Sequence, residues 1–497
     1  MSDLYLQVQE LCDRGDFDRA WGIVVKMLNE DPTNGRALVS AGHIACRTEH
    51  YPEAYHFCRS ATQILPRNPA AWINFGHVCS LMSLHEESEK HYLTALKYCT
   101  LEADQKVMWI NLAALYVDRG NFAKGEAMSR KILEVDPDNQ SAKSNIGFCQ
   151  LARRDWKGWA NYHHTIGTDW RPKVQYADEP EWDGSPGKTV ALYSDQGLGD
   201  EISFASIVPD AIDISAKVIL DCDSRLTGLF RRSFPQAKVY GTRGMSGAKW
   251  AKEDWKIDAS LPLGQIGEFF RTTDESFPRT PYLIPCPDRR RMWKSLFMAK
   301  HKPVIGIAWT GGVPKNNSRN RKLTLEDFLP IFKAIDAHYV SLQYKDASAE
   351  IAEFRKKHEV DLKQYAYGTL TKDYDDTAAL IAACDYVLCI QTAVAHTAGA
   401  LGTPVTVLLP VATQWRYGTA HESIPWYDCL RVIRQQKSGS WRHEIERAAN
   451  ELATYFARVP GGTGETAPGQ RALRDGVGPL RSARVEHHQP NGSDPHP

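Results

Sequence analysis

Apolar residues in the first third of the chain recur three and four apart, the spacing of amphipathic helices, and that pattern itself repeats about every 34 residues. Pro32, Pro66 and Pro137 close similar blocks, and Gly42, Gly76, Ala113 and Gly147 hold the eighth position of theirs. Ala20, Ala54 and Ala61 stand where two helices must approach closely. Trp72, Trp109 and Tyr116 are suited to fill the space between neighbouring hairpins. The pattern predicts four helical hairpins at 1–34, 35–68, 69–105 and 106–139, the third about three residues longer, and a degenerate fifth from Gln140 that caps the array. Stacked hairpins make a solenoid with a concave face. Such an array is either a spacer or a groove for a protein or peptide partner.

The pattern changes after the cap. Short apolar runs bounded by turn residues now alternate with helical stretches: VALY at 190–193, KVILD at 217–221, VIGIAW at 304–309, YVSL at 339–342, YVLCI at 386–390 and VTVLL at 405–409. This alternation predicts parallel sheets with crossover helices. The Pro-rich, basic segment 279–295 separates two groups of strands, which predicts two Rossmann-like lobes facing a cleft. The expected fold is therefore α + α/β: a solenoid with its cap over 1–172, a first lobe over 173–300 and a second over 301–458. The second lobe ends in a helix from Trp441 to Val459. The segment 459–497 is rich in Gly and Pro and lacks apolar periodicity, which predicts disorder.

A length of 497 residues suits about three domains. Sixty Lys and Arg balance sixty Asp and Glu, so a whole-chain nucleic-acid binder is not expected. No apolar run reaches the roughly 18 residues of a membrane span, and the acidic start lacks a signal-peptide pattern, so a cytoplasmic protein is expected. Eleven cysteines are too sparse for a disulfide framework, and neither CxxC nor HExxH occurs, so reduced thiols and no metal site are expected.

Three turns carry candidate chemistry. Gly197, Leu198, Gly199 and Asp200 follow the first strand, where the glycines permit a tight turn and Asp200 stands at the cleft mouth, either as a reacting carboxylate or as a helix cap. Thr310, Gly311 and Gly312 follow the strand at 304–309. The cation-rich stretch Lys315–Lys322 comes next, with Arg321 placed to neutralise phosphate unless the loop is merely solvated. Gln391, Thr392 and Ala393 begin a helix with His396 one turn on; free N–H groups there favour an anion, with a core histidine as the alternative. Gly187, Lys188 and Thr189 imitate a phosphate loop, but Trp182 replaces its first glycine and the segment precedes its strand, which rules that motif out.

Taken together, QGLGDEISFA, GIAWTGG, DDTAALIAACDYVL, TAVAHTAGALGTPV, QWRYG and IPWYDCLRVIRQ resemble bacterial tetratricopeptide-repeat proteins with a heptosyltransferase-like glycosyltransferase domain, over roughly 1–457. The resemblance implies a GT-B architecture and metal-independent, inverting transfer from a nucleotide-diphosphate sugar, with no further cofactor. It implies Asp200 as catalytic carboxylate and Gly197, Gly199, Thr310, Gly311, Arg321, Gln391, Thr392, Ala393 and His396 as substrate-binding residues. The repeats would recruit a protein or glycan acceptor. One position departs from the pattern: Gln391 stands where the family has Asp, so a carboxylate is replaced by an amide. The rival reading is a non-catalytic repeat scaffold with a degenerate transferase domain.

Overall fold

The computed structural model describes residues 2–168, 171–253, 255–298, 300–311, 323–411, 413–436 and 439–458. Arg321, the Lys315–Lys322 stretch and the tail at 459–497 lie outside them. Among the described residues, ten α-helices form the N-terminal region: α1 (Ser2–Asp13), α2 (Phe17–Glu30), α3 (Gly35–Arg47), α4 (Tyr51–Ile64), α5 (Pro69–Leu81), α6 (His85–Tyr98), α7 (Glu102–Asp118), α8 (Phe122–Val135), α9 (Gln140–Ala152) and the short α10 (Gly158–Tyr162). They pair as tetratricopeptide-like hairpins.

The sequence sets the start of many of these helices. Asp16, Asn34, Asn68, Asn121 and Asn139 each accept the backbone N–H three residues on, satisfying a donor the helix cannot. The small eighth position has a steric cause. A Cβ on Gly42 would sit 2.6 Å from Cys58 Sγ, one on Gly76 2.5 Å from the Tyr92 ring, and one on Gly147 2.5 Å from the Tyr162 backbone nitrogen. The extra residues lengthen the start of α7, not the end of the third hairpin, which closes with α6 at Tyr98.

Two parallel sheets follow. The first comprises β1 (Thr189–Tyr193), β2 (Lys217–Asp221), β3 (Lys238–Tyr240) and β4 (Ala259–Pro262) in the order β3-β2-β1-β4. The second comprises β5 (Val304–Ala308), β6 (His338–Ser341), β7 (Leu362–Gln364), β8 (Tyr386–Ile390), β9 (Val405–Leu409), β10 (Ser423–Ile424) and β11 (Tyr427–Arg434) in the order β10-β11-β9-β8-β5-β6-β7, with β10 alone antiparallel. The central strands β5, β8 and β9 are buried throughout, as their unbroken apolar runs require. The closing helix Arg442–Arg458 covers one face of the second sheet, placing Ile445 and Leu452 in a core with Ile305, Ile307 and Ile433. The helix Pro287–Met298 also packs on the second unit: Trp293 lies edge-on to Tyr365 and stacked on Tyr367. It therefore belongs structurally with the strands that follow it rather than with the first lobe.

The cap does not end where the solenoid ends. Trp156, Trp159 and Tyr162 share one buried core with Val190 and Leu192 of β1 and Val405 and Val407 of β9. Trp159 Nε1 donates to the Arg271 carbonyl (2.9 Å), and Trp156 Nε1 to Asp274 Oδ1 (2.9 Å). Arg154 spans both units, donating to Asp274 Oδ2 (3.0 Å) and to the Ser423 carbonyl at β10 (2.7 Å). Buried aromatics of this kind cost about 3–5 kcal/mol each to remove. A chain begun at Lys173 is therefore expected to melt far below one begun at Gln140, which keeps α9 and α10; equal melting by circular dichroism would show that the cap is dispensable to the sheets.

Candidate functional site

The loop after β1 is held from the solenoid side. Asp195 forms an ion pair with Arg171 (2.5 Å), both side chains essentially inaccessible. The Tyr162 hydroxyl donates to Gln196 Oε1 (3.1 Å). Gly197 then caps the helix Leu198–Phe204. Asp200, in its first turn, accepts the Gly197 N–H on Oδ2 (3.1 Å), the helix-cap geometry anticipated as the alternative role of this residue. Its Oδ1 takes Nη2 of Arg416, which comes from the turn after β9. The Arg416 side chain is 3% exposed and that of Asp200 20%. Beside this pair, the Arg416 guanidinium lies over Phe204 and Trp415 (5.2 and 5.4 Å to the ring centroids), and Trp415 meets Trp159 and Tyr162 edge-on (5.4 and 5.7 Å). This ion pair thus joins the two sheet units and rests on the solenoid cap.

The helix Ala393–Leu401 begins directly opposite. A Cβ on Gly199 would lie 3.1 Å from the Ala393 Cα, so glycine is what lets the two helix starts meet. Thr392 caps the second helix without a side-chain bond, and its hydroxyl is buried with no partner. Gly311 faces it: an added Cβ would fall 2.2 Å from Thr392 Cγ2. The structure therefore brings together Gly197, Gly199, Asp200, Gly311, Thr392 and Ala393. Gln391 is buried, and its Oε1 accepts the Gln414 N–H (3.4 Å). Thr310 is spent within its own unit, because the Gln343 amide takes its N–H (3.0 Å) and hydroxyl (2.7 Å) and donates to its carbonyl (3.0 Å).

His396 is placed differently from the sequence expectation. It is 2% exposed, with Nε2 3.2 Å from the Tyr417 hydroxyl and Nδ1 3.3 Å from that of Tyr427. Burial, with Arg416 nearby, holds it well below the usual histidine range and therefore neutral. Both ring nitrogens are occupied, so none is left for a phosphate oxygen. The histidine locks its helix to β11 and to the turn carrying Arg416.

Two site residues escaped the sequence reading. Arg416 lay inside the QWRYG string without a role, because its partner is distant in sequence. Glu201 follows Asp200 but points into the first unit, where Oε2 accepts the Asp223 N–H (2.8 Å). Burial pushes its carboxyl up to about 8. Within the third hairpin, Cys79, Glu87 and His91 bring potential ligand atoms within 4.8 Å of one another. His91 is stacked on Phe75 (4.0 Å) and Glu87 accepts the Tyr55 hydroxyl (3.0 Å), contacts that belong to hairpin packing. All eleven cysteines are free thiols, and no helix among the described residues is long and apolar enough to cross a membrane.

No family model matches the chain. Protein FlbA of Caulobacter vibrioides is 28% identical over 436 residues, taking in 76% of this chain and 72% of FlbA. Among solved structures, PilF of Pseudomonas aeruginosa is 17% identical over 34% of this chain and 77% of its own, with a TM-score of 0.31. YrrB, described as a tetratricopeptide protein with an unusual peptide-binding site, is 18% identical over 29% of this chain and 74% of its own, with a TM-score of 0.26. The hairpin assignment stands on the helix geometry of the chain itself.

The raised Glu201 carboxyl sets a pH dependence. Between the ordinary value of 4.5 and about 8 the folded protein keeps a proton that the unfolded chain has lost, so this group makes stability fall as pH rises through that window. Glu201→Gln keeps an acceptor for the Asp223 N–H and removes the ionisation. Its melting temperature is expected to exceed the parent's at pH 8 and to converge with it near pH 4.5; parallel melting curves across the range would contradict the assignment.

Proposed function

We propose that the chain is a glycosyltransferase of the GT-B kind, moving a sugar from a nucleotide-diphosphate donor to an acceptor hydroxyl with inversion, while the solenoid recruits a protein or glycan acceptor. The observation that carries this reading is the meeting of two helix starts at Gly199 and Ala393 beside the unpartnered Thr392 hydroxyl. Both ends carry partial positive charge and free N–H groups. Asp200, the carboxylate at the junction, already has Arg416 as counter-ion, and Asp195 in the preceding loop has Arg171. The junction is left electropositive, which suits the charge that grows on a departing diphosphate.

In this scheme Arg416 holds Oδ1 and keeps the Asp200 carboxylate oriented, and Oδ2, which accepts the Gly197 N–H on one side, uses its second lone pair to take the acceptor proton. The acceptor oxygen bonds to the anomeric carbon as the bond to the diphosphate breaks and its electron pair leaves with the phosphate. Attack and departure on opposite faces invert the configuration. The partial exposure of Asp200 gives the hydroxyl its approach. The solenoid cap contributes by fixing the loop from Asp195 to Gly199, so acceptor recruitment and the reacting carboxylate share one rigid support.

A scaffold without turnover is the second reading, and Gln391 favours it: the side chain is buried against Gln414 in place of the carboxylate the resembled family carries. Asp200→Asn separates the two. The amide keeps an oxygen for the Gly197 N–H or for Arg416 but cannot take a proton, so transfer is expected to fall about 100-fold or more. Nucleotide-diphosphate binding, read as thermal stabilisation, should persist. The variant should also melt lower than the parent, since Arg416 loses its counter-ion. Equal turnover by both proteins would remove Asp200 as the base, whereas nucleotide binding without turnover by the parent on any donor would establish the scaffold.

A further inference from the structure

Beside the Gly197 loop, at the carboxyl ends of β1 and β2, two arginines converge on one buried carboxylate. Arg225 donates to both Asp223 oxygens (2.9 and 2.9 Å), and Arg243 Nη1 donates to Asp223 Oδ2 (3.1 Å). Arg243 Nη2 reaches back to the Gln196 carbonyl (2.6 Å), the residue before Gly197. The Asp223 side chain is 8% exposed, while those of Arg225 and Arg243 are 45% and 44% exposed. Two guanidiniums therefore share one negative charge and present further N–H groups to solvent. Glu201 lies behind them, 3.8 Å from Arg243 Nε, and the burial that keeps it protonated stops it from cancelling the surplus.

The backbone is bent to present this arrangement. Arg243 adopts φ 51° and Gly244 φ 68°, so a side chain stands where the left-handed conformation favours glycine. The fully buried Asp221 enforces the turn by accepting the N–H groups of Thr242 (2.8 Å), Arg243 (3.0 Å) and Gly244 (2.8 Å) together with the hydroxyls of Thr242 (2.7 Å) and Tyr176 (2.8 Å). Asp223 alone would satisfy one arginine; the second is carried on strained backbone. On the opposite side, the turn Ser224–Leu226 packs against the helix Tyr374–Ile381, whose Tyr374 hydroxyl meets Thr397 of the Ala393 helix (2.9 Å). The pair thus stands between the two sheets, next to the loop that carries Asp200.

We propose that Arg225 and Arg243 bind a carboxylate on the molecule that reacts at Asp200, so that the substrate is acidic. The proposal rests on the transferase reading and adds the substrate's chemical class. Guanidinium forks match a planar carboxylate with paired N–H donors. Two sources carry that group: an acidic sugar on the donor, or an Asp or Glu side chain on the acceptor near the modified hydroxyl.

The test uses the full-length protein and saturation-transfer NMR with D-glucuronate and N-acetylneuraminate, their neutral twins D-glucose and N-acetylneuraminate methyl ester, and a short Ser-containing peptide with or without Asp. Signal from the acids above their neutral twins supports an acidic sugar, and signal from the Asp peptide above its twin supports an acidic acceptor. In either case Arg225→Gln and Arg243→Gly are expected to weaken the response at least ten-fold. Arg243→Gly is the decisive variant, because glycine relieves the backbone while removing the guanidinium, so its melting temperature should equal or exceed the parent's as binding falls. Acid binding equal to that of the neutral twins, or unchanged in both variants, would overturn the proposal, as would no acid binding at all. Nucleotide-diphosphate stabilisation of the same samples keeps the readings apart: if it persists while the acids fail, this inference alone falls, and if it is absent the transferase reading falls with it.

Discussion

The architecture turns on one desolvated contact, the ion pair between Asp200 of the first sheet unit and Arg416 of the second. A guanidinium almost closed off from water needs a counter-charge, since stripping water from an ion costs several kcal/mol. Asp200 supplies it from the first sheet unit. Phe204 lies under the same guanidinium and Trp415 beside it, and Trp415 in turn packs on Trp159 and Tyr162 of the cap. Arg434 secures the turn itself, donating to the Tyr417 and Gly418 carbonyls (2.5 and 3.0 Å). Solenoid, first sheet and second sheet therefore meet around this charge pair, and Arg232 and Asp375 (2.6 Å) form a second ion pair between the two sheet units.

This arrangement changes what the repeats are for mechanically. In the proposed transferase, a solenoid joined by a linker would deliver an acceptor only by raising its local concentration. Here the last hairpin holds the Asp195–Gly199 loop through Arg171 and Tyr162 and contributes aromatic side chains to the core beneath it. The boundary at 172 and 173 that the change of periodicity suggests is a boundary of pattern. It is not a boundary of packing.

Much of the fold was legible because it rests on local rules. The strands at 217–221, 386–390 and 405–409 coincide with their apolar runs, and the helix start at Thr392 follows the turn chemistry before it. β3, β7 and β10 were missed because two or three residues give no readable period, β4 because its ASLP run carries a serine and a proline, and β11 because its buried and exposed positions do not alternate regularly. The site was legible only in part. Gly199 and Asp200 announce themselves by local turn chemistry, whereas Arg416 finds its partner 216 residues away. His396 showed the opposite failure: a histidine near a helix start suggests an anion, but two tyrosines from β11 and the preceding turn had already claimed its nitrogens. No periodicity carries that information.

Hydrogen exchange by mass spectrometry on Arg416→Gln tests the central contact most directly, because opening of the two helix starts is read at their own amides. If the ion pair holds the two helix starts together, peptides spanning 198–204 and 393–401 lose protection together, and the cap around 158–162 loosens with them, while the distant hairpins α1–α6 exchange as before. Unchanged protection at both helix starts in a folded variant would contradict the account and show that other contacts, the Arg232–Asp375 pair among them, join the two sheets.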